Sequence, residues 1–369
     1  MKEIFDSLHG YIPVDTWILK IIDTTEFQRL RKIKQLGLVY NVFASASHNR
    51  YEHSLGVYYL ACRYIQYLEL NSDTELFSDT DKRNIKTAAL IHDIGHGPYS
   101  HLWDETFNGN HEARSKQIFR YMNDKYMLQY SEKDIDYINH MIKSEKSFSQ
   151  KYPNETRNYL FQIVSNPNGI DVDRMDYIMR DVKMTGLSYG IESYEIMKQS
   201  IVRKNNIIFR NKCQLIIDNF FQVRYILYKT IYNHPTVRSI ELMVGEILKE
   251  IKKSEQYDLD NLRIFLLMND SIIDTFIINN PNSKVEQIMN NINTRNIYKI
   301  KEQKIIYSNE IEYNTIEKTL ENYDSRDIID KNIIQYNAEE KPLFENSEMQ
   351  DKQYLQKKEI IVNIFSNIC

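Results

Sequence analysis

From residue 15 onward apolar positions recur at helical spacing, and turn residues cut that pattern into segments. Trp17, Ile18, Ile21 and Ile22 follow Asp15, and Thr24 or Thr25 can cap a second helix carrying Phe27, Leu30 and Ile33. Leu55, Val57, Leu60, Ala61, Ile65 and Leu68 predict a long amphipathic helix from Ser54. Ile85, Ala88, Ala89, Leu90 and Ile91 form an almost wholly apolar approach, as in a helix buried on most sides, which Gly95, Gly97 and Pro98 must end. His111 and Glu112 open another helix after the Asn-Gly-Asn break, and further helices fill the stretch to residue 165. A helix from Ile170 to Val182 places Asp173, Tyr177 and Asp181 on one face, a polar stripe suited to lining a pocket. Residues 218–248 read as one helix with Arg224, Tyr228 and Tyr232 along one side and His234 just beyond. Helical patches follow around Leu262 to Met268 and Val285 to Ile292. Extended signals are few. Residues 1–14 read as an extended lead-in, LVYNVF after Gly37 as a strand or loop, and Ile207–Phe209 and residues 328–336 as short strands.

Composition supports a mainly helical chain, because 10 Gly and 7 Pro in 369 residues leave few tight turns. That length allows one large or two ordinary domains, and 42% apolar content is enough for a substantial core. A formal charge of -4 gives no general reason to expect nucleic-acid or membrane affinity. Cys62, Cys213 and Cys369 lie far apart without metal-type spacing, which favours a reducing setting. The first residues lack an apolar signal core, and no apolar run reaches spanning length. A soluble protein of the cytoplasm or nucleus is the expectation. The run Arg29, Arg31, Lys32 and Lys34 reads as a solvated basic face.

Candidate chemistry centres on His92 to Asp104, HDIGHGPYSHLWD, where imidazoles and carboxylates converge at a helix end. Of nine histidines, His53, His92, His96, His101 and His111 fall in one short span, and each buried imidazole needs a partner or loses its charge. His48, Arg50 and His53 precede or begin the long helix, whereas His140 reads as an ordinary surface or core residue. Neighbouring helix positions diverge by about 100°, so His92 and Asp93 can share an ion only in a cleft that receives ligands from elsewhere. Adding His53 and Asp173 gives two imidazoles and two carboxylates, a set suited to iron, manganese, zinc or a similar divalent ion. Such an ion polarises a phosphoryl group and lowers the pKa of bound water. His96, His101 and His111 with Asp104 can orient the nucleophile or protonate the leaving oxygen. The residues by themselves read as a metal-dependent phosphohydrolase.

Four ordered motifs, FQRLRKIKQLG, SHNRYEHSLGV, HDIGHGPYSHLWD and NGIDVDRMDY, resemble the HD-domain superfamily. More narrowly they resemble the SAM-and-HD-domain deoxynucleoside triphosphate triphosphohydrolases, from about Lys2 to about Glu345 and most strongly before residue 240. The resemblance implies a mainly α HD-domain bundle over residues 1–250 and a smaller α+β lobe over 251–369 in a position to serve oligomerisation. It also implies the catalytic region without the SAM domain. The expected reaction cuts a deoxynucleoside triphosphate (dNTP) to deoxynucleoside and inorganic triphosphate by attack at the α-phosphorus. His53, His92, Asp93 and Asp173 fall on the family's metal ligands, the ion being iron, manganese, zinc or magnesium. His96, His101, Asp104 and His111 fall on its catalytic group, with His101 as the general acid. Arg50, Arg174 and Arg224 fall on triphosphate positions, where a planar guanidinium suits phosphate oxygens, and Arg174 replaces a lysine. Gln35 and Asp181 fall on groups that hold the sugar 3′-hydroxyl, and Tyr177 on the ring that crowds out a 2′-hydroxyl. Leu36, Tyr232 and His234 are expected near the base, and Tyr228 stands where the family has histidine.

Regulation is implied too. In the family a guanine nucleotide bound between subunits drives tetramer assembly, and Lys2, Asp23, Gln28, Arg31, Arg210 and Lys212 fall on that pocket. Phe5, Glu195 and Pro235 replace an asparagine and two basic residues there, and added negative charge weakens triphosphate binding. The expectation is a homo-oligomer, dimer or tetramer, with one modified GTP or dGTP site per interface and a weakened or missing second site beside Phe5. Two rivals are a phosphodiesterase or nuclease, which needs an open channel or a second metal, and a non-catalytic nucleotide sensor, which normally lacks a ligand or the acid.

Overall fold

A computed structural model describes residues 2–144, 146–308, 328–335 and 358–366. It is mainly α, with sixteen α-helices among the described residues and three small antiparallel sheets. The lead-in is a hairpin, β1 (Lys2–Asp6) paired with β2 (Gly10–Val14) from Lys2↔Val14 to Asp6↔Gly10. Its turn is closed by side-chain chemistry that apolar patterning does not register: Asp6 Oδ1 accepts from the backbone N–H of Leu8 and His9, each over 2.9 Å.

α1 (Thr16–Ile22) and α2 (Thr25–Gln28) follow, the second capped by Thr24, whose hydroxyl accepts from Phe27 N. In the 3₁₀ turn after them, Arg29–Lys32, Arg31 and Lys32 are exposed as the solvated basic face requires, and Arg29 alone departs from it. Arg29 is buried, with Nε donating to the Met268 carbonyl and Nη2 to the His96 carbonyl, both over 2.8 Å. The segment after Gly37 resolves to a 3₁₀ turn at Val39–Asn41.

α3 (Arg50–Leu70) begins four residues before the predicted Ser54 because Asn49 caps it, accepting from Glu52 N. It packs against α4 (Asp79–Ile91), which opens with a Ser78–Asp81 capping box. α5 (His101–Phe107), α6 (His111–Tyr126) and α7 (Glu132–Ile142) come next. α8 (Lys146–Lys151) and α9 (Tyr159–Gln162) lead to α10 (Val172–Thr185), which lies on α3. α11 (Ser193–Lys198) then precedes the hairpin β3 (Ser200–Arg203) and β4 (Asn206–Phe209).

The single helix expected over 218–248 is broken. α12 (Gln214–Leu227) runs into a π-helical turn at Tyr228–Tyr232, and α13 (Pro235–Lys253) starts afresh with His234 as its cap. Pro235 has no N–H to offer the preceding turn and suits a first helical position, so the chain widens before it. α14 (Leu262–Phe265), α15 (Ile272–Asn279) and α16 (Lys284–Asn293) pack beside α13 or near it, and the apolar core is continuous through them. A sheet of β5 (Lys299–Ser308), β6 (Ile328–Gln335) and β7 (Lys358–Ser366) ends the described chain, with β7 central. Arg238 of α13 fastens this sheet to the bundle: Nη2 lies 2.8 Å from Asp330 on β6 and 2.8 Å from Glu105 on α5.

Candidate active site

Three helices bring four donor atoms together. His53 lies on the first turn of α3, His92 and Asp93 at the end of α4, and Asp173 on the first turn of α10, where Asp171 caps the helix. His53 Nε2 is 3.2 Å from His92 Nε2, 3.1 Å from Asp173 Oδ1 and 3.4 Å from Asp93 Oδ2. His92 Nε2 is 3.5 Å from Asp93 Oδ2 and 3.4 Å from Asp173 Oδ1. Ligands about 2.0–2.2 Å from one divalent ion are separated by roughly 3–3.6 Å when cis or tetrahedral, so both donor set and spacing fit a metal.

The far side of each imidazole is fixed as a ligand requires. His92 Nδ1 faces the Ala89 carbonyl at 2.9 Å and His53 Nδ1 faces Asp176 Oδ2 at 2.8 Å, which turns both Nε2 atoms to the centre. Asp176 also receives His9 Nε2 at 2.7 Å and Arg180 Nε at 2.9 Å, and Arg180 continues to Asp6 at 2.9 Å. Gly56 makes room for this carboxylate, since a Cβ there would lie 1.9 Å from Asp176 Oδ1. Burial alone would strip His53 of a proton, but the carboxylates of Asp173 and Asp176 outweigh it and raise its pKa to about 10. Burial likewise opposes the charge of Asp93, yet Arg50, His92 and His96 hold it well below the usual carboxylate range. The carboxylates thus favour positive charge at this centre, on a ring or on an ion.

A second imidazole group stands beside it. His96 stacks on His111 with ring centroids 3.9 Å apart, and His101 meets them edge-on at 5.0 and 5.4 Å. Asp104, one turn along α5 from His101, accepts from the backbone and Nδ1 of His111 at 2.9 and 2.7 Å and pairs with Arg114. A Cβ on Gly95 would lie 2.1 Å from the His111 carbonyl, so only glycine lets the start of α6 approach the end of α4 this closely. Desolvation of its ring against the cleft wall pushes the pKa of His101 down to about 4, and the neighbouring Arg50 and His111 add to this. His96 is driven well below its ordinary value by burial first and then by the same two neighbours.

These groups open onto a cavity of about 450 Å³, within the range of nucleotide-sized pockets. Eight of the nine residues expected to hold nucleotide line it: Gln35, Leu36, Arg50, Arg174, Tyr177, Asp181, Arg224 and Tyr232, joined by Asp93, His101, His111 and Asp173. Arg50 pairs with Asp93 and donates to Ser100 Oγ over 2.9 Å. Arg224 Nε donates to Tyr177 over 3.0 Å and its guanidinium lies 4.7 Å from the Tyr228 ring centre. The aromatic ring of Tyr228 therefore takes up a cation. Three guanidiniums lining one cavity suit a ligand with several negative charges.

Two family models match the chain in tandem, the HD domain over residues 50–181 and the HD associated region over residues 198–364. A protein of Acanthamoeba polyphaga mimivirus named for its HD domain is 33% identical over 376 residues, covering 92% of this chain and 78% of its own. The chain belongs to the HD-domain family. All four metal-type donors and the whole imidazole group lie inside the HD-domain match, whereas Arg224 and Tyr232 come from the associated region. Among other HD-domain relatives, a Dictyostelium discoideum protein named deoxynucleoside triphosphate triphosphohydrolase SAMHD1 homolog is 32% identical over 327 residues, 85% of this chain. Deoxynucleoside triphosphate triphosphohydrolase SAMHD1 of Gallus gallus is 31% identical over 341 residues, 81% of this chain. This HD-domain chain spans 62% and 56% of the length of those two proteins.

The remaining predicted residues lie elsewhere. His234 is not on the cavity: its Nδ1 accepts from Thr236 N and caps α13, and its ring meets Phe43 edge-on at 5.7 Å. Asp23, Gln28 and Arg31 cluster at the end of α1 and α2, where Arg31 Nε donates to Gln28 Oε1 over 2.8 Å and its guanidinium lies 3.5 Å from the Tyr51 ring centre. Lys2 is on β1, while Arg210 and Lys212 follow β4. Phe5 is exposed, and His140 stacks on Phe148 at 4.1 Å. Sequence reasoning missed His9, Asp176 and Arg180 behind the donors, and Glu105, Arg238 and Glu241 on the cavity wall. Burial raises the Glu241 pKa to about 7 against the pull of Arg238. A signal existed for one pair: Asp176 and Arg180 sit four apart on a helical face. Among the described residues no helix is long and apolar enough to cross a membrane.

Proposed function

We propose that this HD-domain protein hydrolyses deoxynucleoside triphosphates to deoxynucleoside and inorganic triphosphate. The observation carrying this reading is the meeting, on one cavity, of a four-donor cation site, an imidazole group and three arginines. His53, His92, Asp93 and Asp173 would hold a divalent ion, which would supply positive charge to phosphoryl oxygens and lower the pKa of water. Arg50, Arg174 and Arg224 bind the triphosphate, Tyr177 lies against the sugar and leaves no room for a 2′-hydroxyl, and Gln35 and Asp181 hold its 3′-hydroxyl. Water oxygen joins the α-phosphorus and releases its proton to solvent, the bond to the 5′-oxygen breaks, and His101 protonates that oxygen. Neutral in the resting cleft, His101 gains its proton once a polyanion offsets the positive charge of Arg50. Asp104 holds His111 in one tautomer beside it.

Residues 1–250 supply this chemistry in our reading, and 251–369 form the lobe that supports assembly. Asp23, Gln28 and Arg31 with Lys2, Arg210 and Lys212 of neighbouring copies are proposed to take GTP or dGTP in a homo-oligomer. Chromatography of products is the decisive experiment: equal deoxynucleoside and triphosphate are expected, while pyrophosphate or single phosphate moves the protein to another hydrolase group. Light scattering and turnover with and without GTP test the assembly; a mass and rate unchanged by GTP, dGTP or Arg31→Ala remove the regulatory site.

A further inference from the structure

Outside the residues assigned so far, the most organised geometry surrounds His48. Lys34 and Asn49 form an isolated antiparallel bridge, the Gln35 N–H donates to the His48 carbonyl over 2.9 Å, and the Arg50 N–H donates to the Ile33 carbonyl over 2.9 Å. His48 therefore stands at the neck of a loop whose first residues, Gln35, Leu36 and Gly37, line the cavity. Its ring is buried and reaches across to α10, with Nε2 2.7 Å from Asp181 Oδ1. The other oxygen of Asp181 accepts from the Tyr232 hydroxyl over 2.5 Å.

One residue thus fixes two others by different means, Gln35 through its main chain and Asp181 through its side chain. We propose that His48 is a positioning residue for sugar recognition, holding Gln35 and Asp181 in the one arrangement that reads a nucleotide 3′-hydroxyl. The inference rests on the triphosphohydrolase reading of the cavity. Each Asp181 oxygen has a second lone pair, so a carboxylate pinned by His48 and Tyr232 can still accept from a hydroxyl, without freedom to rotate away. Gln35 is 6% exposed, and its Oε1 is buried without a partner among the described residues. That is the state of a group built to meet a donor brought by a ligand. His48 Nδ1 is also buried without a partner among the described residues, so packing alone gives no reason for an imidazole here.

The test compares kcat/KM for dATP and 2′,3′-dideoxy-ATP in the wild type, His48→Ala, His48→Gln and His48→Asn, with metal content measured on each. Sites built around a substrate hydroxyl reject its deoxy analogue strongly, so the wild type is expected to favour dATP by on the order of 10²-fold or more. His48→Ala should lower that ratio about tenfold or more at unchanged metal content, chiefly through the dATP value. His48→Gln, whose amide reaches the Nε2 position, should recover part of the ratio, and His48→Asn, which is one carbon shorter, should not. Should His48→Ala fail to fold, Tyr232→Phe, which removes the other donor to Asp181 and leaves the ring in place, must lower the ratio as well. If the His48 variants slow both substrates by one common factor, the residue merely supports the loop and the inference is overturned. A wild type that cleaves dATP and dideoxy-ATP equally also overturns it and leaves the triphosphohydrolase reading intact. One that yields no triphosphate from either ends both.

Discussion

Two groups of histidines stand side by side in this protein and have opposite electrostatic fates. His53 lies among the carboxylates of Asp93, Asp173 and Asp176 and is pushed up to about 10, while His101 faces Arg50 and His111 and is pushed down to about 4. His53 is buried and His101 is exposed at the mouth of the cleft, and beyond that difference the sign of the neighbouring charge is opposite at the two rings. The first group is made to hold a cation, and the second to stay neutral until an anion arrives. On the proposed function, one cleft can therefore keep a metal and handle a proton without either role supplanting the other.

The comparison breaks most completely at the donors. Asp93→Ala should abolish bound metal and turnover together, because an incomplete set loses charge balance and a ligand at once. Metal analysis beside an activity assay decides it, and a variant that keeps its metal contradicts the assignment. His101→Ala should retain the metal and lose about 10²-fold or more in kcat; metal loss in that variant would merge the two groups into one site. Asp176→Asn, which removes the charge behind His53 and keeps its shape, should weaken metal affinity by about 10- to 100-fold in a chelator competition. Undiminished affinity would show that the His9–Asp176–Arg180 network serves the hairpin alone.

The smallest effect is on stability. The folded pKa of His101 lies below its unfolded value, so between pH 6.5 and 4 the unfolded chain binds the extra proton and stability falls as pH falls. His101→Gln should flatten that acid loss in thermal melts of the metal-loaded protein. A wild type and variant with parallel pH profiles over this window would mean that His101 is not held neutral.

Much of the site was legible because its signals are local. Apolar spacing announced the helices that carry the donors, although their caps Asn49, Ser78 and Asp171 went unread, and the Gly-His-Gly-Pro run marks where α4 must stop. Asp173, Tyr177 and Asp181 followed from helical spacing alone, and all three reach the cavity. What escaped depends on partners distant in sequence. His9 meets Asp176 across 167 positions, and Arg29 is buried by carbonyls at 96 and 268 that no charge run announces. The break at Tyr228–Tyr232 escaped for another reason: Pro235 forbids a regular continuation, but the pattern of apolar residues runs on through it. α15, IIDTFIIN, is apolar on too many sides for periodicity to separate it from a strand.

The bridge between Lys34 and Asn49 has a consequence for how such a protein can change. Because the two ends of the loop are tied to each other, its exposed positions Ala44, Ser45 and Ser47 can be exchanged while the start of α3, and with it His53, stays where it is. The outer turn of the loop is replaceable on a fixed frame, while its buried residues belong to that frame. On the proposed function, changes in that outer turn leave the cation donors untouched, provided His48 still reaches Asp181.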